Sequence, residues 1–270
     1  MSRRRIRNIL LKEWALLFTD LNSAFVVTLV PFLVVGQGTL YIWLASTFAG
    51  ESMLATPVFQ TALQKLVDAI PAVAQLPGNE QLIVLLLSQI NFFLLLIPTM
   101  IAMNVATFSI VDEKLSGSLE ALLATPVRTW ELLLGKALAG AIPALVMTWI
   151  SAGVVLLVVS GLGWGDLIGF VTKAGWFLTL FLLTPTVAIL SFMLGVAGSS
   201  RAKDPRAAQT AALFIIFPVF VLIGIQITGI VWFTPLLILA LTLAVGIADF
   251  VTLRAAVHLF ARESIVVQWR

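Results

Sequence analysis

The side chains able to do chemistry are scarce in this 270-residue chain, and their densest group is a short charged insert. Residues 111–127 read V-D-E-K-L-S-G-S-L-E-A-L-L-A-T-P-V and stand between two long apolar runs. Glu113 and Glu120 are seven residues apart, so a helix carries them on one stripe, with Lys114 beside the first. Leu119, Leu122 and Leu123 line an apolar face together with Leu115. The helix begins near Gly117 with Ser116 or Ser118 as its cap. Pro126 ends it, because the residue before a proline avoids helical geometry. A short amphipathic helix over 113–125, held at a fixed angle, suits docking against another protein and transmitting a push. Read on its residues alone, the insert serves equally well as a loop joining two spans.

Other chemistries find little to work with. There are no cysteines, and His258 is the single histidine, so thiolate sites and His-rich metal sites are excluded. His258 stands beside Arg254 and near Arg262, without the Ser, Asp or Glu partners of a hydrolase. No G-x-x-x-x-G-K-[ST] phosphate loop occurs: Gly135-Lys136 is followed by Ala137 and lacks the upstream glycine. The chain therefore binds no ATP in the P-loop manner. A self-sufficient secondary carrier or channel is the alternative reading. It calls for ion-coupling carboxylates within the spans or matched broken helices. Asp249, with Arg254 or His258 to neutralise it, is the one carboxylate deep in an apolar run.

The elements that position the insert follow from hydropathy. Apolar residues make up 60% of the chain and charged residues 11%, against about 25% charged in soluble domains. With a mean hydropathy of +1.09, the sequence predicts an all-α polytopic membrane protein in one domain. Six runs are long enough to span: 22–46, 82–110, 131–160, 169–198, 208–229 and 231–258, the last boundary being the least defined. Six spans put both termini on one side, together with fourteen of the sixteen Lys and Arg; only Lys65 and Lys173 fall opposite. By the positive-inside rule the termini and the insert are cytoplasmic. A basic N-terminus flanking spans reads as membrane orientation, not as a nucleic-acid surface or a signal peptide. Within residues 1–20, Ile6, Ile9, Leu10, Trp14 and Leu17 recur at helical spacing among basic residues, which predicts an interfacial helix. On the other side, Thr56 caps a helix over 56–70 that Pro57 opens and Pro71 stops.

The wording E-K-x-x-G-S-L-E-x-L-L-x-T-P-V, followed by L-L-L-G-K at 132–136, resembles the coupling segment of ABC type-2 (type V fold) exporter permeases. The order of basic N-terminal helix, span, external segment, span and insert is similar across nearly the whole chain. Ser118 stands where the family more often has Thr, and the 228–235 turn is shorter than in some members. The resemblance implies a transport subunit without its own ATPase site, in a prokaryotic plasma membrane. ATP and Mg are bound by a separate ABC subunit, and a second permease chain, identical or homologous, completes the complex. Glu113, Lys114, Gly117, Ser118, Leu119, Glu120, Leu122, Leu123 and Pro126 then form the coupling helix. It also implies that Arg5, Arg7 and Lys12 face Glu113 or Glu120; binding to anionic membrane lipid serves these cations equally.

Since spans two and five of such permeases meet at the dimer axis, their polar and aromatic faces are pathway candidates. On span two these are Gln89, Phe93, Met100, Asn104 and Thr107, within one arc at 100° per residue. On span five they are Phe217 and Phe220. The alternatives are polar contacts between helices of one subunit for the first set, and lipid or packing contacts for the second.

Overall fold

The computed structural model describes residues 2–102, 105–106, 129–201 and 205–259, and every regular element among them is helical. Helix α1 (Ser2–Thr19) turns at Asp20 into α2 (Leu21–Phe48). Asp20 caps α2 by accepting from the Ser23 N–H at 2.9 Å, so the two helices stay distinct. A short turn of helix leads to α3 (Pro57–Ala69), and a 3-10 turn over Pro71–Gln75 precedes α4 (Gly78–Phe93), which resumes after two residues and runs to Ala102. The remaining long helices are α5 (Thr129–Gly161), α6 (residues 174–201), α7 (Pro205–Ile227) and α8 (Pro235–Leu259).

Five of these helices are long and apolar enough to cross a membrane: Ser23–Phe48, Gly78–Ala102, Trp130–Gly161, Ala174–Val196 and Pro235–Val257. The shorter apolar stretch Ile216–Ile227 lies within α7, where the fifth span was expected. The fourth span starts at Ala174 rather than 169, because the chain breaks at Thr172–Lys173 after a single short helix. The expected helix over 56–70 is present as α3, although Thr56, at its cap position, donates its hydroxyl to the Met53 carbonyl instead of capping.

Helix α4 is the centre of the bundle. Leu82 to Leu87 are all buried, and α2, α3, α7 and the first half of α6 close around this helix. A second cluster joins the lower half of α4 to α6, α7 and α8 through Phe92, Leu95, Leu183, Val219 and Ile238. Helix α8 by contrast is mostly exposed, with Leu236, Leu243, Ile247 and Val251 along its open flank. In water such a face would be untenable; it is the surface a bilayer covers.

Prolines inside spans free a carbonyl one turn earlier, and three of them are dealt with in different ways. Pro98 gives the 94–95 break, where Ile97 N–H bonds the Leu94 carbonyl at 3.2 Å. Pro143 leaves the Ala139 carbonyl without its helical donor, and the Trp14 indole N–H of α1 takes its place at 2.7 Å. Pro185 follows a π turn over Thr179–Leu183, in which Thr184 N–H reaches the Thr179 carbonyl. The Leu180 carbonyl would then look to residue 185, which has no N–H. The Trp149 indole of α5 donates to it at 3.2 Å.

Candidate functional site

The insert and two of the pathway candidates, Asn104 and Thr107, lie outside the described residues, as do all nine coupling residues from Glu113 to Pro126. Its immediate continuation is in view. Helix α5 starts at Thr129, and its first three turns form the most charged interior surface among the described residues.

Helix α1 lies along these turns. Gly135 makes the approach possible: a Cβ there would stand 2.9 Å from the Ile9 Cγ2. One residue on, Lys136 has a side chain only 2% exposed, and its Nζ meets Glu13 Oε1 at 3.0 Å. One turn earlier Glu131, 3% exposed, accepts from Arg5 at 3.5 Å. Two ion pairs of opposite sense and the Trp14–Ala139 hydrogen bond thus join the two helices over residues 5–14 and 131–139. Leu17 is buried and Ile9 and Leu10 half-buried on the same side of α1, while Arg4, Arg7 and Leu11 are exposed. The amphipathic stripe expected on α1 is therefore real, but it covers α5 rather than facing only a membrane surface.

Removing a lysine and a glutamate from water costs several kcal/mol each, and only close pairing offsets it. Such pairs contribute little net stability but allow one arrangement, because sliding the helices by a turn would strand two buried charges. Arg5 and Lys12, named as partners of the insert, are found with Glu131 and with Glu13 (3.7 Å, Lys12 half-exposed) respectively. Sequence reasoning missed Glu13, Glu131 and Lys136. The available signal was Lys136 itself, seven residues into an otherwise apolar helix, where a charge calls for a partner.

The pathway candidates do not converge on one open face within the subunit. Gln89 is buried, its Nε2 donating to the Leu85 carbonyl at 3.2 Å, while its Oε1 has no donor among the described residues. Phe93 and Met100 are half-buried and pack into the cluster formed with α7 and α8. Helix α7 turns Ile216, Val219 and Ile223 towards that cluster, so Phe217 and Phe220, one position on, point outwards at 66% and 56% exposure. Gly224 continues this outer strip with open space where a Cβ would stand. Towards the end of α8, Asp249 is half-buried, its Oδ1 without a partner among the described residues, and Arg254 lies over the Phe250 ring at 4.4 Å.

No curated protein and no solved structure matches the chain. A family profile does: that of the ABC-2 family transporter proteins covers residues 7–260, from the middle of α1 to just past the end of α8. This chain, a multi-pass helical membrane protein whose family supplies the permease component of ABC transporters, belongs to the ABC-2 family of transporter proteins.

Proposed function

We propose that this chain is the permease subunit of an ATP-driven ABC exporter, coupled to a separate ATP-binding subunit through residues 113–125. The family match supports the transport role, and the clamp between α1 and α5 supports the mechanics. Helix α5 begins four residues after 125 and is tied to α1 in its first three turns. A displacement of the insert is thus handed to two helices that move as one body. Closure of the ATPase dimer on ATP and Mg would tilt that body and, through α2 and α6 packed on α5, reshape the pathway. Both termini, α1 and the insert face the cytoplasm of a plasma membrane in this reading, with Arg4 and Arg7 left to anionic lipid.

A second permease chain completes the pathway. The outward strip of Phe217, Phe220 and Gly224 supports α7 as part of that interface, since it is apolar and exposed among the described residues.

The test is a pull-down from mildly solubilised native membranes followed by an ATPase assay, comparing wild type with Glu120→Ala. Co-elution of a P-loop ATPase whose attachment or stimulation weakens in the variant is the expected result. A chain that elutes alone in several mild detergents overturns the coupling and favours a self-sufficient carrier.

A further inference from the structure

At the end of the bundle away from α1, the structure holds a second feature that the coupling mechanism leaves unused. A cavity of about 510 Å³ lies between α3, α4, the start of α6 and the turn joining α7 to α8. That size is within the roughly 300–1,000 Å³ of small-molecule sites. Its walls are aromatic: Phe92 and Phe233 stand 5.0 Å apart, and Trp176 and Trp232 complete the lining.

The polar groups on these walls are few, and two of them, one donor and one acceptor, are unsatisfied. Gln226 is only 3% exposed. Its Oε1 accepts from the Phe233 N–H at 3.2 Å, which fixes the amide's orientation and leaves Nε2 without a partner among the described residues. Lys173, at the rim, has no carboxylate within ion-pair reach among those residues. Asn91, in the wall and 5% exposed, donates to the Trp176 carbonyl at 3.5 Å, and its Oδ1 has no donor among the described residues. A buried amide donor and a lysine beside aromatic walls recognise one kind of molecule: an apolar body carrying a single anionic acceptor.

We propose that this cavity is a binding site for an amphipathic organic anion, its head on Gln226 Nε2 and Lys173 and its apolar part among Phe92, Trp176, Trp232 and Phe233. Such a head belongs equally to a free alkyl carboxylate or to an acidic lipid of the adjoining leaflet. The site lies away from α1, and binding to it needs no ATPase.

The test is calorimetric titration of the full chain in phosphatidylcholine nanodiscs with decanoate as probe and decanol as its neutral counterpart. Saturable decanoate binding, with decanol weaker by about tenfold or more, is expected, since a hydrogen bond to a charged group is of that worth. Gln226→Leu should weaken decanoate by about tenfold. Lys173→Glu, at an exposed position that leaves folding intact, should weaken it at least as much. Ala69→Trp, which fills the cavity from α3 without touching either polar group, should abolish binding. Equal affinity for decanoate and decanol, or binding that survives Ala69→Trp, overturns the proposal. Repeating the titration in phosphatidylglycerol discs separates the sources: lost decanoate affinity identifies a bilayer lipid as occupant, and unchanged affinity identifies a free amphiphile.

Discussion

Neutralising one member of the Lys136–Glu13 pair should loosen α1 from the bundle far more than neutralising both. Lys136 sits seven residues into α5, about 10 Å along its axis at 1.5 Å per residue. With its side chain 2% exposed, it has no route to water unless α1 lifts away. In Glu13→Gln the buried ammonium loses the carboxylate charge that stands 3.0 Å away, and breaking a buried pair from one side costs about 3–5 kcal/mol. Lys136→Met leaves Glu13 behind, but that carboxylate is 14% exposed and can turn outwards, so the cost should be nearer 1–2 kcal/mol. The double variant joins methionine to an uncharged amide and should come within about 1 kcal/mol of wild type. Hydrogen exchange of the α1 amides in nanodiscs reads this directly as local opening. About 3 kcal/mol corresponds to exchange faster by roughly 100-fold or more. The expected pattern is large acceleration in Glu13→Gln, modest acceleration in Lys136→Met and near-wild-type protection in the double variant. Additive effects, with a coupling below about 0.5 kcal/mol, would refute the view that this contact is a buried ion pair setting the α1–α5 register.

Three further outcomes are expected. Gly140→Ala places a Cβ 1.9 Å from Phe192 Cε1, a ring that is itself fully buried, so it should lower stability by about 1–3 kcal/mol. Adding Phe192→Leu should restore part of the loss in thermal melts, and an unchanged Gly140→Ala melt would contradict the packing. Gly229 combines φ of +68° with the Ala62 backbone 2.6 Å from its would-be Cβ, where no flexible side chain can yield. Gly229→Ala should therefore displace α3, seen as new protease or cysteine-label access at residues 57–69, and unaltered access would argue against the contact. Trp14→Phe orphans the Ala139 carbonyl and should cost about 1–3 kcal/mol. In a Pro143→Ala background, where residue 143 regains its N–H, the same change should cost clearly less, and equal costs in both backgrounds would reject the repair.

The family and its all-helical, multi-pass class were legible in the sequence because both are written locally. Spans announce themselves by hydropathy, and backbone groups in lipid leave helices as the form an apolar run of that length can take. The helix over 57–69 and the stripe on α1 were equally readable, since proline punctuation and helical period need no tertiary partner. The amphipathic pattern of α1 could not say what it covers: Ile9, Trp14 and Leu17 fit a membrane surface as well as a protein groove. That α1 lies on α5 depends on residues more than a hundred positions away: Gly135 yielding space, Glu131 and Lys136 supplying opposite charges, and Pro143 exposing a carbonyl. In the same way Gln226 looks like an ordinary polar residue near the end of a span. Only the fold brings Phe233 to its Oε1 and leaves its Nε2 at a cavity wall. Hydropathy and period are properties of one segment, whereas burial of a charge, and which partner compensates it, is a property of two. The second kind of information exists only after the helices have packed.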